Sequence, residues 1–262
     1  MTLSEIIVGG RRLETAWWGP APDQAPTLVL LHEGLGCVAL WRDVPERLAT
    51  ETGFGVFAYS RFGYGASDPA LLPLPMSYMR DEALDILPRV LNAAGVARAI
   101  LVGHSDGGSI AAIHAGGAND PRISGIVTIS AHFFVEDLNI ASIEQIRIEY
   151  ENGDLRSRLA RYHAHPDNAF HGWNGAWLDP RFRDFNITGF LPGVSVPVLA
   201  LQGAEDPYGT EAQLHALRRH VTSPLETRLL PGVKHAPHLE AKDTTIAAIA
   251  AFARTHLGDR GT

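Results

Sequence analysis

The sequence predicts an α/β fold, a mostly parallel central sheet with helices on both faces, and three observations carry that prediction. Short apolar runs recur at Thr27 to Leu31, Gly55 to Tyr59, Ala99 to Val102, Gly125 to Ile129 and Val196 to Leu201, with Thr227 to Leu230 a weaker example. They are continuous rather than alternating, as strands buried on both faces require. Between them, residues 42–51, 77–94, 107–116, 210–220 and 239–256 carry apolar side chains at three- and four-residue spacing, the period of helices with one buried face. Strands alternating with helices in this way build a parallel sheet covered on both sides.

Two stretches stand outside this rhythm. Glu5 to Val8 and Leu13 to Trp18 flank Gly9-Gly10-Arg11 and read as an antiparallel edge hairpin. Residues 132–192 show no buried-strand pattern and are rich in His, Trp, Phe and Arg. Within them Ile143 to Tyr162 can form helix, whereas His163 to Asn186 is punctuated by Pro, Gly and Asn. No repeat, low-complexity tract or linker is visible, so the stretch reads as a helical cap inserted into one core made of residues 1–131 and 193–262.

Composition narrows the partners. With 45% hydrophobic and 19% charged residues, the 262-residue chain has the make-up of a packed globular protein. A formal charge of -7 offers no basic surface for nucleic acid or an anionic membrane, so the expected partner is a small molecule, uncharged or modestly polar. Cys37 is the only cysteine; an intrachain disulfide is impossible, and a reducing cytoplasm is the expected location. No apolar stretch reaches signal-peptide or membrane-spanning length, so a soluble, unexported chain is expected.

The strongest chemical signal is Gly103-His104-Ser105-Asp106-Gly107-Gly108, directly after the strand Ile100-Leu101-Val102 and directly before the helical pattern from Ser109 to His114. The GxSxG spacing suits a sharp strand-to-helix turn that strains the serine and needs small neighbours where the chain passes close to itself. A serine hydroxyl attacks only when a base takes its proton. Among twelve histidines, His235 lies in Leu229-Leu230-Pro231-Gly232-Val233-Lys234-His235, on a loop between a strand and the last helix. The loop leaves its ring free to turn, and it is preferred over His238, which is closer to the helix start and reads as a capping or packing residue. An orienting acid follows the strand Leu199-Ala200-Leu201: Asp206, in an Asp-Pro turn, is preferred to the adjacent Glu205.

Serine, acid and histidine in that chain order resemble the α/β-hydrolase family, whose order differs from chymotrypsin-like and subtilisin-like enzymes. Two further segments extend the resemblance over roughly residues 1–131 and 193–258. Leu31-His32-Glu33-Gly34-Leu35-Gly36 resembles the His-Gly segment that donates one oxyanion-hole N–H, with Glu33 where the family usually has glycine. The resemblance implies the N–H groups of Gly34 and Asp106 as the oxyanion donors. Tyr59-Ser60-Arg61-Phe62-Gly63-Tyr64-Gly65-Ala66-Ser67-Asp68 looks like the family's glycine-spaced turn, with Ser60 for aspartate and Phe62 for glycine; its implied role is structural.

The fold implied is the α/β-hydrolase fold, and the implied activity is hydrolysis of a carboxylic ester or lactone with Ser105 as nucleophile, His235 as base and Asp206 as orienting acid. Carbon-carbon bond hydrolysis of ring-fission products, peracid formation, and a non-catalytic ligand-binding role stay open. Trp173, Trp177 and Phe133 are the candidate substrate-binding residues of the cap, in an apolar pocket carrying a few polar groups. His163, His165 and His171 match no metal-ligand spacing, so neither metal nor other cofactor is expected. Glu33 and Asp106 are expected to place negative charge near the nucleophile, raising the basicity of the histidine and disfavouring anionic substrates.

Overall fold

The strands, in chain order, are β1 (Thr2–Val8), β2 (Arg11–Trp18), β3 (Thr27–Leu31), β4 (Gly55–Tyr59), β5 (Ala99–His104), β6 (Ile123–Ile129), β7 (Val198–Gly203) and β8 (Leu225–Leu230). They form one sheet in the order β1-β2-β4-β3-β5-β6-β7-β8 in a computed structural model that describes residues 2–258. Met1 and residues 259–262, the end of the expected core segment, lie outside the described residues. From β4 to β8 every pairing is parallel, while β1 and β2 form the expected antiparallel hairpin at the edge. Gly9 and Gly10 both take positive φ, 59° and 78°, as a two-residue turn whose twist matches its strands demands.

The apolar runs divide their side chains between two cores. Leu28, Leu30, Ile100 and Val102 face one side of the sheet, and Val29, Leu31 and Leu101 the other. This two-sided burial is why the runs are unbroken in sequence.

The helices are α1 (Val44–Thr52), α2 (Tyr78–Asp81), α3 (Leu87–Ala93), α4 (Asp106–Gly117), α5 (Asp137–Asn152), α6 (Leu155–Leu159), α7 (Pro166–Trp177), α8 (Ala212–His220), α9 (Pro237–Glu240) and α10 (Lys242–Leu257). Helices α1 and α10 cover the first core through Val44, Leu48, Ile246 and Phe252. Helices α3, α4 and α8 cover the second through Leu87, Val90, Ile110, Ile113 and Leu217.

Three departures from the sequence pattern have physical causes. The helix expected over residues 77–94 widens into a π-turn at Glu82–Ile86 between α2 and α3. Pro88 has no N–H to give the carbonyl four residues back, and its ring presses on that carbonyl. The helix expected over 239–256 begins earlier and divides at Ala241 into α9 and α10, which leaves the Glu240 carboxylate free to accept from the N–H groups of Lys234 and Ala236 at 2.8 and 2.9 Å.

The third departure is α7, formed where Pro, Gly and Asn had pointed to irregular chain. Pro166 occupies the first turn, where a missing N–H costs nothing. Asn168 bonds both polar groups of the Ala70 backbone, and Asn174 donates to the Ile143 carbonyl. Gly172 packs against Leu72 and Leu74. Its buried face, Phe170, Trp173 and Trp177, has helical spacing.

The chain runs from β3 out to β4, then crosses back to place β5 on the other side of β3. Loops leaving β3 and β5 therefore diverge and open a crevice at the carboxyl ends of the strands, the usual ligand position in such sheets. Register brings the other strand ends to the same rim, since Leu31 pairs with Gly103, His104 with Ile129, Ile129 with Leu201, and Gly203 with Leu230.

The turn from β5 into α4 has no spare volume. A Cβ on Gly107 would collide with the Leu31 carbonyl, and one on Gly103 with the Gly107 carbonyl. Overpacking such a site costs about 1–3 kcal/mol, and each kcal/mol moves the melting temperature of a chain this size by about 2–4 °C. Gly107→Ala is therefore expected to melt several degrees below wild type by calorimetry. Gly175→Ala, where a Cβ meets nothing within 4 Å, is expected to match or exceed it; equal melting of Gly107→Ala and wild type would contradict the crowding.

Candidate active site

Ser105 sits between the end of β5 and the first turn of α4 with φ 52° and ψ -118°. A non-glycine residue held there stores about 1–3 kcal/mol of strain, which persists only where the surroundings enforce it. The enforcing bonds are local: its N–H donates to the Ile129 carbonyl at 2.8 Å, and its carbonyl accepts from Gly108 and Ser109 at 2.9 and 3.1 Å. The hydroxyl opens into a cavity of about 150 Å³ whose lining includes Gly34, Asp106, His132, Trp173, Trp177 and His235. A larger groove of about 370 Å³, beside Arg80 and Phe190, contains none of these residues.

His235 meets Asp206 directly. Its Nδ1 donates to Oδ1 at 2.8 Å and lies 2.9 Å from Oδ2. The same carboxylate accepts from the Tyr208 N–H at 2.8 Å and the Gln202 amide at 2.6 Å. Burial works to raise the Asp206 pKa, but the His235 hydrogen bond and charge and the Tyr208 N–H outweigh it and hold it below the ordinary aspartate value. Glu205 is exposed and stands outside this pairing. Ser105 and His235 share the cavity without a hydrogen bond between them, a separation common in sites without substrate.

The loop carrying His235 is clamped from two sides. Glu240 accepts from the N–H on either side of His235, and His104 Nε2 donates to the His235 carbonyl at 2.8 Å. The other nitrogen of His104 faces Glu33 Oε2 at 3.4 Å. Burial lowers the His104 pKa, but Glu33 more than reverses this, so it rests above the ordinary histidine value. His238 lies beneath, packed on Trp41 and His104 with ring centroids 5.0 and 4.6 Å apart, and does not line the cavity. It is a packing residue.

Gly34 and Asp106 both line the cavity, and neither N–H has a protein acceptor. Arg61 turns the Gly34 loop. Its guanidinium donates to the carbonyls of His32 and Glu33 at 2.5 and 3.0 Å. From the other side, His163 Nε2 donates to the Leu35 carbonyl at 3.1 Å while its Nδ1 accepts from Gly65 at 2.9 Å. The glycine-spaced turn and the 132–192 segment thus grip the same loop.

The expected negative charge is largely compensated. The Asp106 carboxylate is fully buried, accepts from Tyr78 Oη at 2.7 Å and lies 4.0 Å from the Arg61 guanidinium. Burial pushes its pKa up. Glu33 is paired with His104. Both residues line the cavity beside Ser105, where Arg61 and His104 offset the negative charge expected there.

Trp173 and Trp177 line the cavity, with the Trp173 indole against the Cα of Gly34 and Trp177 Nε1 donating to Tyr78 Oη at 3.0 Å. Phe133 does not line it. Its ring is 1% exposed in the core, because the backbone there is tied to Gln213 and Ile187. Sequence reasoning missed His104, His132, Tyr208 and Glu240. The legible signal for His132 was its place three residues past the end of β6, on the rim that also carries Ser105. Among the described residues, no group of three His, Cys, Asp or Glu side chains is placed to hold a metal ion, and no helix is long and apolar enough to cross a membrane.

Residues 26–146 match the family model for the alpha/beta hydrolase fold. Three solved structures are similar along nearly the whole chain. Proline iminopeptidase from Mycobacterium smegmatis superposes with a TM-score of 0.76 at 19% identity, covering 97% of this chain and 98% of that one. A thermophilic esterase from Thermogutta terrifontis gives 0.72 at 19%, covering 98% and 100%. The enol-lactonase from Burkholderia xenovorans LB400 gives 0.71 at 19%, covering 95% and 99%. No curated protein sequence matches. The chain has the α/β-hydrolase fold; at these identities the structural likeness speaks for the fold alone.

Because the Asp206 pKa is depressed in the folded state, its contribution to stability is complete above the unfolded value of about 3.9 and is lost as pH falls through the folded value. Asp206→Asn should accordingly melt below wild type by a constant margin near neutrality, a margin that shrinks below about pH 4. A margin unchanged across that acid range would mean the carboxylate gains nothing from its partners.

Proposed function

We propose that this protein is a serine hydrolase that cleaves a carboxylic ester or lactone of a small, partly apolar substrate through an acyl-enzyme. The observation that carries the reading is the hydrogen-bonded Asp206–His235 pair opening into the cavity that also receives Ser105 from a strained strand-to-helix turn. His235 Nε2 takes the Ser105 proton as Oγ attacks the carbonyl. Asp206 holds Nδ1 protonated and stabilises the imidazolium that forms. The N–H groups of Gly34 and Asp106 stabilise the oxyanion, helped by the amino end of α4.

His235 then returns the proton to the leaving alcohol, and water deacylates the serine by the same route. The 132–192 segment acts as a cap. Through Ile143, Ile146, Leu155, Trp173 and Trp177 it closes the cavity with apolar surface, which favours a short acyl or alcohol group and excludes bulk water. The esterase and enol-lactonase among the structural neighbours agree with this choice of bond.

A panel of p-nitrophenyl esters, lactones and vinylogous diketones separates this reading from carbon-carbon hydrolysis. Turnover is expected for short esters or lactones. Ser105→Ala and His235→Ala should each lower kcat by about 10³–10⁶, while His238→Ala, if folded, should stay within about tenfold of wild type. Diketone cleavage without ester turnover would overturn the bond assignment, and loss of activity in His238→Ala alone would overturn the base.

A further inference from the structure

His132 lines the reaction cavity, yet the proposed mechanism gives it nothing to do. Its ring stacks on His235, with centroids 5.7 Å apart and planes 17° from parallel, and meets Trp177 edge-on at 5.3 Å. The surrounding polar groups decide where its proton lies. The Asn139 amide is oriented at both ends: its oxygen accepts from the Glu136 N–H at 2.5 Å, and its nitrogen donates to the Tyr208 carbonyl. That nitrogen can only donate, so the 3.3 Å contact makes His132 Nδ1 an acceptor.

The proton of the neutral ring is therefore on Nε2. Burial, with His235 alongside, pulls the pKa of His132 down to about 3, so the ring stays uncharged at neutral pH. Nε2 has no hydrogen-bond partner, and unlike Nδ1 of His238 it is not sealed in the interior. A fixed donor without a partner, on the wall of a mostly apolar cavity, rewards a ligand that brings an acceptor and penalises one that does not.

We propose that His132 Nε2–H is a specificity-determining donor that receives a second, uncharged oxygen of the substrate, a keto or ether oxygen a few bonds from the scissile carbonyl. A carboxylate suits the position less, because neutral His132 offers it no charge and the Asp206 carboxylate lies just beyond His235. The inference rests on the reading of Ser105 and His235 as an ester-cleaving pair.

The test compares p-nitrophenyl 4-oxopentanoate with p-nitrophenyl pentanoate, which differ by one keto group, in wild type, His132→Phe and His132→Gln. Wild type should prefer the oxo ester in kcat/KM. His132→Phe should lose about tenfold on the oxo ester and change by less than about threefold on the plain one. His132→Gln, which keeps an N–H near the Nε2 position, should recover much of the preference. Plain-ester turnover reports that each variant is folded, and His132→Leu replaces the phenylalanine where it does not fit.

An unchanged ratio between the two esters, or equal losses on both, would overturn the role of His132 while leaving the hydrolase reading intact. Wild type that turns over neither ester nor any other in the panel would overturn the hydrolase reading and this inference with it.

Discussion

Parallel strands that end in register leave their loops on one rim, and the chemistry of this protein is arranged along it. Leu31, His104, Ile129, Gly203 and Leu230 lie at the ends of five adjacent strands. Within five residues of those ends come Gly34, Ser105, His132, Asp206 and His235. A one-residue slip in any pairing would turn core side chains to the wrong face, so the buried apolar runs that fix register also fix the site. The loops can then vary in composition while their starting points cannot.

Rim position alone does not orient a loop, and polar side chains do the rest. Arg61 takes the carbonyls of His32 and Glu33, which leaves the next N–H, that of Gly34, turned away from it and unpaired. His163 holds Leu35 from the far side, and His104 and Glu240 hold the stretch around His235. Buried ionic groups are expensive unless paired, and here each has a partner: Arg61 has two carbonyls and Asp106, and Glu33 has His104. In the proposed mechanism these loops must stay fixed while charge develops on the substrate.

Much of the architecture was legible because the relevant signals are local. An unbroken apolar run identifies a doubly buried strand, and GxSxG between a strand and a helix identifies a turn with no room for side chains. What was illegible depended on contacts distant in sequence. Helix α7 looked irregular because Gly172, Asn168 and Asn174 are poor helix formers, yet each is explained by a neighbour on another element. Phe133 and Trp173 were equal candidates by composition, and only the backbone ties of residue 133 send one ring to the core and the other to the cavity. The compensation of Asp106 by Arg61 joins residues 45 positions apart, one in the loop after β4 and one at the start of α4.

In the proposed mechanism the strained turn and the Asp206–His235 pair together make Ser105 a nucleophile. The most direct measurement is reaction of the folded protein with a fluorophosphonate, read by intact mass and peptide mapping. One adduct per chain on Ser105 is expected, absent in Ser105→Ala and strongly slowed in Asp206→Asn. Folded protein that takes no adduct, or takes it on another residue at the same rate in Ser105→Ala, would mean that Ser105 is not the nucleophile.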